Sequence, residues 1–120
     1  MTKAYICGIF DGDGWCYFGE NSREIGFCGT ESTCEGIKNF LEQECNIANI
    51  KITPIKSIYR IRICNKAGIV SFYENILAEN KELCLSRKFN QIKNFAVSER
   101  AYKNRKTTLK WLSLKKSGRL

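Results

Sequence analysis

The sequence predicts a single α+β domain, and three observations predict it. The chain has 120 residues, 43% of them hydrophobic, enough for one modest core. Apolar residues recur at helical spacing in some stretches and alternate in others. These stretches follow the order helix, two strands, helix, two strands, helix, helix, with no linker and no second copy of the opening segment.

Residues 2–12 read as the first helix. Ile6, Ile9 and Phe10 fall at i, i+3 and i+4, a stripe that faces the core,. Ala4, Gly8 and Gly12 fall at i, i+4 and i+8, a second stripe with almost no side chains. Asp11 and Asp13 then arrive at the C-terminal end, where the helix dipole is already negative,. A bare face and two misplaced acids both require a partner.

"WCYFGENSREIGFCGT" reads as a hairpin turning at "GENS",. Cys16 and Phe18 point one way, and Trp15 and Tyr17 the other. On the return strand Ile25 and Phe27 share one face, and Glu24, Gly26 and Cys28 the opposite one,. In "TESTCEGIKNFLEQECNI" a Ser/Thr cluster with Glu35 close behind starts a helix whose stripe is Ile37, Phe40, Leu41 and Cys45,. "IKITPIKS" and "IYRIRICN" are two more strands, and Pro54 marks the former as an edge or a strand end,. Tyr59, Ile61 and Ile63 alternate with Arg60 and Arg62, giving one oily and one cationic face. "AGIVSFYENILAEN" is helical, with Ile69, Phe72, Tyr73 and Ile76 as its stripe. "LSRKFNQIKNFAVSER" is helical with Phe89, Ile92 and Phe95 inward,. The ending "TTLKWLSLKKSGRL" is a short basic helix or a frayed end.

Composition narrows the chemistry. There are seven cysteines and no histidine. No cysteine pair has C-x-x-C spacing, so a zinc site is not expected. The thiols read as free and reduced, with Cys7, Cys28 and Cys64 set between apolar residues as core thiols,. Without histidine the Ser-His-Asp route is excluded, and catalysis falls to carboxylates, lysine or a hard metal ion. No apolar run approaches a membrane span, and "MTKAY" lacks a signal-peptide pattern,. The expected setting is intracellular and reducing (cytoplasm, nucleoid or organelle), with no membrane partner. The net charge is +8. From residue 101 onward Lys103, Arg105, Lys106, Lys110, Lys115, Lys116 and Arg119 occur without an acid. That stretch suits a polyanion or a solvated tail. The division expected is one domain over 1–100 and a basic C-terminal extension over 101–120.

With these residues in view, "ICGIFDGDG" at residues 6–14 resembles the motif of the LAGLIDADG homing endonucleases. Gly8, Asp11, Asp13 and Gly14 match letter for letter, Ile6 and Ile9 stand for Leu, and Gly12 stands for Ala. Cys7 and Phe10 depart, but both suit a helix. "DGDG" also suits part of a Ca²⁺ loop, but the bidentate Glu of an EF-hand is not at its required spacing,. The element order over residues 2–97 is similar to that family's helix-strand-strand-helix-strand-strand-helix fold with a saddle-shaped antiparallel sheet.

The resemblance implies a homodimer in which two motif helices meet along Ala4, Gly8 and Gly12. It implies Asp13 and the Gly12 carbonyl as ligands of Mg²⁺ (or Mn²⁺, with Ca²⁺ as a non-catalytic substitute), and a helix-ending role for Asp11. It implies Lys88 as the basic residue near the scissile phosphate, with Arg87 its possible replacement. Glu31 stands nearest to a position that is often Gln in the family. The sheet would lie in the major groove of double-stranded DNA, with Asn21, Arg23, Lys51, Thr53, Lys56, Arg60 and Arg62 as readers. Trp15 and Tyr17 would fill space beneath the DNA or pack on thymine methyls. The implied activity is metal-dependent cleavage of both strands at a long pseudo-palindromic site. The alternative is an RNA maturase acting on intron RNA, or a non-cleaving DNA-binding regulator.

Overall fold

A computed structural model describes residues 1–83 and 86–116, except the side chains of residues 81, 83, 86 and 104–116. The order of elements is the one the periodicity predicts: α1 (Lys3–Asp13), β1 (Trp15–Phe18), β2 (Arg23–Gly29), α2 (Glu31–Cys45), β3 (Lys51–Ile55), β4 (Ile58–Ile63), α3 (Lys66–Phe72) and α4 (Ser86–Lys116).

The helix starts are written in side chains. Thr2, Thr30 and Asn65 each occupy an N-cap and accept from a backbone N–H three residues on: Tyr5, Thr33 and Gly68 respectively,. α2 ends at Asn46, which takes the left-handed conformation at φ 54° that suits a helix C-cap,.

The four strands form one antiparallel sheet in the order β1-β2-β4-β3. Pro54 therefore sits on an edge strand, where its missing N–H costs no ladder bond. β2 and β4 are central and register Ile25 against Ile63 and Phe27 against Ile61. Those four side chains are buried and point to one face, where the helices cover them. Ile6, Cys7 and Phe10 of α1, Cys34, Ile37 and Leu41 of α2, Ile69 and Phe72 of α3, and Ile92 of α4 complete the core. Phe10 makes edge-on contacts with Phe27 and Phe72, at centroid separations of 6.0 and 5.3 Å, and so ties α1 to the sheet and to α3,. Among the described residues no helix covers the other face of the sheet.

Two expectations are corrected. The stretch after Phe72 does not continue as an α-helix. It runs through a π-helical turn, Tyr73–Leu77, and then a 3₁₀ stretch, Ala78–Leu83. The inward stripe survives because Ile69, Phe72 and Ile76 remain buried. Asn75 and Asn80 bond carbonyls one turn back, those of Ser71 and Ile76,. Cys28 and Cys64 are not core thiols: both are half-buried, whereas Cys7, Cys34 and Cys45 are buried. Cys28 registers opposite Arg60 on the open face. Cys84 lies outside the described residues.

The basic ending continues α4 without a break as far as Lys116. Residues 117–120, with Arg119 among them, lie outside the described residues, as do the side chains of Arg105, Lys106, Lys110, Lys115 and Lys116.

Candidate functional site

The first half of the site is the face and end of α1. Ala4, Gly8 and Gly12 are exposed, and a Cβ built on either glycine would meet no atom within 4 Å. Tyr5 beside them is 53% exposed. The buried stripe of α1 holds it to the core, so this bare stripe faces outward. It is a surface two backbones could approach closely.

At the C-terminal end of α1 the carboxylate of Asp13 is exposed. It makes no hydrogen bond or ion pair with another described residue. Gly14 closes the helix by donating its N–H to the Phe10 carbonyl at 2.8 Å. The last carbonyls of a helix lack intrahelical donors, and here a cation supplies them. Lys88 Nζ donates to the carbonyl oxygens of Asp11 at 2.8 Å and Phe10 at 3.3 Å, and lies 5.7 Å from the Phe10 ring centroid. The dipole problem set by Asp11 and Asp13 is thus met from α4, far along the chain. Cys16 lies alongside. Its thiol donates to Gln91 Oε1 at 3.0 Å, and burial pushes its pKa up against the opposing pull of Lys88 and Arg87,.

The second half is the open sheet face. Register places Lys51 beside Arg62, Thr53 beside Arg60, and Arg62 beside Gly26 with Trp15 beyond it. Trp15, Tyr17, Lys51, Thr53, Arg60 and Arg62 therefore share one face. Trp15 Nε1 donates to Glu24 Oε2 at 2.7 Å, Arg62 pairs with Glu24 Oε1 at 3.4 Å, and Arg60 lies over the Trp15 ring at 5.4 Å.

Three proposed readers stand apart from that face. Arg23 registers opposite Phe18, with the strand parity of Ile25 and Phe27. It lines a hollow at the β1–β2 turn with Tyr17, Asn21, Ser22, Glu24 and Cys64. Asn21 is exposed in that turn, and Lys56 is exposed in the β3–β4 turn at φ 54°. The register puts these two turns at opposite ends of the sheet. Glu31 is the first residue of α2 and faces Tyr59, whose hydroxyl it pushes to a higher pKa through hydrogen bonding and charge.

No family model and no curated protein matches this sequence. Solved structures do. The homing endonuclease I-TnaI superposes with a TM-score of 0.56 at 16% identity, over 79% of this chain and 69% of its own. The LAGLIDADG meganuclease I-AabMI, solved bound to uncleaved DNA, gives 0.61 at 19% identity, over 87% of this chain and 38% of its own. The homing endonuclease I-CvuI, solved with its target in the presence of Ca, gives 0.53 at 11% identity, over 78% and 62%.

The chain has the LAGLIDADG fold.

It spans 62% of I-CvuI and 38% of I-AabMI. On this LAGLIDADG scaffold the proposed residues fall into two groups. Asp13, Gly12 and Lys88 gather at the end of α1, and Arg60, Arg62, Lys51 and Thr53 gather on the open sheet. Sequence reasoning placed Glu24 on the correct face but assigned it no part, though it binds Trp15 and Arg62 together. Its signal was present: an acid alternating onto the same face as two arginines. Gln91 was missed as well, and no spacing rule points to it.

Proposed function

We propose that this chain is a site-specific double-strand DNA endonuclease that works as a homodimer on a long pseudo-palindromic site. One observation carries the reading. The outward small-residue face of α1 ends in the exposed Asp13 carboxylate, with Lys88 docked on the Phe10 and Asp11 carbonyls of the same last turn. A second copy packed on that face by a two-fold axis brings two such ends together. The open sheet, with Arg60, Arg62 and Lys51 upon it, presents cations to a duplex. The DNA-bound state of I-AabMI and I-CvuI supports the same use of the fold.

The residues present fit a hard divalent cation. The Asp13 carboxylate and the Gly12 carbonyl are oxygen donors at one place, with the Gly12 carbonyl among those that lack an intrahelical partner. Among the described residues no group of three or more His, Cys, Asp or Glu side chains assembles. One carboxylate per chain, completed by a second chain and by substrate phosphates, matches the way Mg²⁺ is commonly held. Such an ion supplies Lewis-acid polarisation of the phosphate and a water of lowered pKa. Lys88 has three N–H donors and directs two to carbonyls, which leaves one for a phosphate oxygen,.

The test is incubation of the purified chain with duplex DNA spanning its gene's own insertion site, with and without Mg²⁺. A double-strand break that requires the metal supports the reading. Binding without a break favours the non-cleaving regulator, and binding to intron RNA in preference to the duplex favours the maturase.

A further inference from the structure

The open sheet face holds a connected polar cluster that spans three strands. Gly26 stands in register between Trp15 and Arg62. A Cβ there would lie 2.7 Å from Trp15 Cζ2 and 3.0 Å from Cε2, so the indole lies across β2 in the space a side chain would fill. In that position Nε1 donates to Glu24 Oε2 at 2.7 Å, while the ring carries the Arg60 guanidinium at 5.4 Å from its centroid. The other Glu24 oxygen takes Arg62 at 3.4 Å and the Cys64 thiol at 3.9 Å. Glu24 and Arg62 are about three-quarters buried, with side-chain exposures of 24% and 28%.

Donors outnumber acceptors here. The Arg62 guanidinium, the indole N–H and the Cys64 thiol converge on one carboxylate, and Arg60 Nε and Arg62 Nε are buried with no acceptor among the described residues. A ligand for this cluster must therefore be rich in acceptors. Stacking on an aromatic ring fixes the plane of a guanidinium and leaves its N–H edge available for bidentate bonding. In the major groove guanine presents two adjacent acceptors, O6 and N7. Adenine pairs one acceptor with a donor, cytosine presents a donor, and thymine has one acceptor and a methyl group.

We infer that Glu24 is a positioning residue for base reading: it clamps the Trp15 indole, the indole sets the plane of Arg60, and Arg60 so aimed selects guanine. This rests on the DNA-reading function proposed above. Glu24 touches no base in this account, so its removal should alter preference at one position and leave the grip on phosphates intact.

The experiment uses the full chain and a pool of duplex DNA with a randomised site, bound in Ca²⁺ and sequenced after selection. The wild-type chain enriches guanine at a position that Arg60→Ala flattens. Glu24→Ala and Trp15→Phe each lower that enrichment by roughly tenfold, the loss of one bidentate contact. Glu24→Gln retains it, because its amide oxygen still accepts the indole N–H although the charge is gone. Affinity for unselected duplex holds or rises in both Glu24 variants, since each carries one anion fewer on the DNA face. Full guanine enrichment in Glu24→Ala overturns the inference, as does equal weakening at every position in both Glu24 variants. A wild-type chain whose Arg60-dependent position is not guanine also overturns it, and alone. A wild-type chain that enriches no sequence overturns the DNA-reading function with it.

Discussion

Lys88, in the first turn of α4, donates to the Asp11 carbonyl oxygen in the last turn of α1 at 2.8 Å. One cation thereby serves two needs. It answers the negative end of the α1 dipole, and it stands beside the acid proposed to hold metal.

Lys88→Met should accordingly lose stability as well as cleavage. A partly buried cation at a helix C-terminus, hydrogen-bonded to its carbonyls, contributes about 1 kcal/mol. The unfolding midpoint in urea should fall by a corresponding amount while the slope stays the same. An unchanged midpoint would remove the capping role and leave Lys88 a purely catalytic assignment.

Gly8→Leu should separate the subunits without harming the monomer. The new side chain meets no atom of its own chain within 4 Å of its Cβ, and Leu favours a helix over Gly by roughly 0.5–1 kcal/mol. At a backbone-to-backbone contact between two helices the same side chain has no room, at a cost of about 1–3 kcal/mol or more. Sedimentation and a thermal melt together read both effects. A variant that stays dimeric and cuts fully would show that the contact lies elsewhere.

Acid should weaken the seat of α4 through one pair. Arg100 Nε and Nη2 donate to the two Glu74 oxygens at 2.6 and 2.7 Å, and that hydrogen bonding holds the Glu74 carboxyl below the usual carboxylate value. A depressed carboxylate stabilises the fold above its unfolded pKa and loses that contribution as pH falls through the folded one. Glu74→Gln should thus melt slightly lower than wild type at neutral pH, and the gap should close as the acid limb is descended. The pair is largely exposed, so the gap is small. A gap that widens toward acid would contradict the assignment.

Much of this fold is legible because burial imposes periods. Ile6, Ile9 and Phe10 announce α1, alternation from Tyr59 to Ile63 announces β4, and Pro54 announces an edge strand. The π turn after Phe72 left no such trace. Ile69, Phe72 and Ile76 satisfy a helical stripe whether or not a residue is inserted into the backbone ladder. Arg23, nominated as a reader by alternation, begins a strand whose parity is fixed by Ile25 and Phe27, which sets it apart from Arg60 and Arg62. The site was half legible. Asp13 and the bare stripe lie in one contiguous motif, whereas the Lys88–Asp11 contact and the Trp15–Glu24–Arg60 cluster join distant elements, which no local pattern encodes.

Removing residues 101–120 should leave the fold nearly intact, since Ile92 and Ala96, the buried residues of α4 among those whose side chains are described, both lie upstream. If the basic stretch grips backbone phosphates, the slope of log K against log salt should shrink by about 0.9 for each phosphate released. Sequence preference should persist, because phosphate contacts carry none. An unchanged slope would place the stretch away from the DNA.

Asp13→Asn tests the central claim most directly. The amide keeps the size of the side chain and removes a negative charge from the end of a helix dipole that disfavours it. The Asp13 side chain bonds no other described residue, so the thermal midpoint should hold or rise slightly. Affinity for target DNA in Ca²⁺ should hold or rise too, with one anion per subunit fewer facing phosphate. The decisive measurement is cleavage of that target in Mg²⁺ by a variant shown to fold and bind. Loss of cutting on both strands is the predicted result. A folded, DNA-bound Asp13→Asn chain that cuts both strands at the wild-type rate would contradict the account.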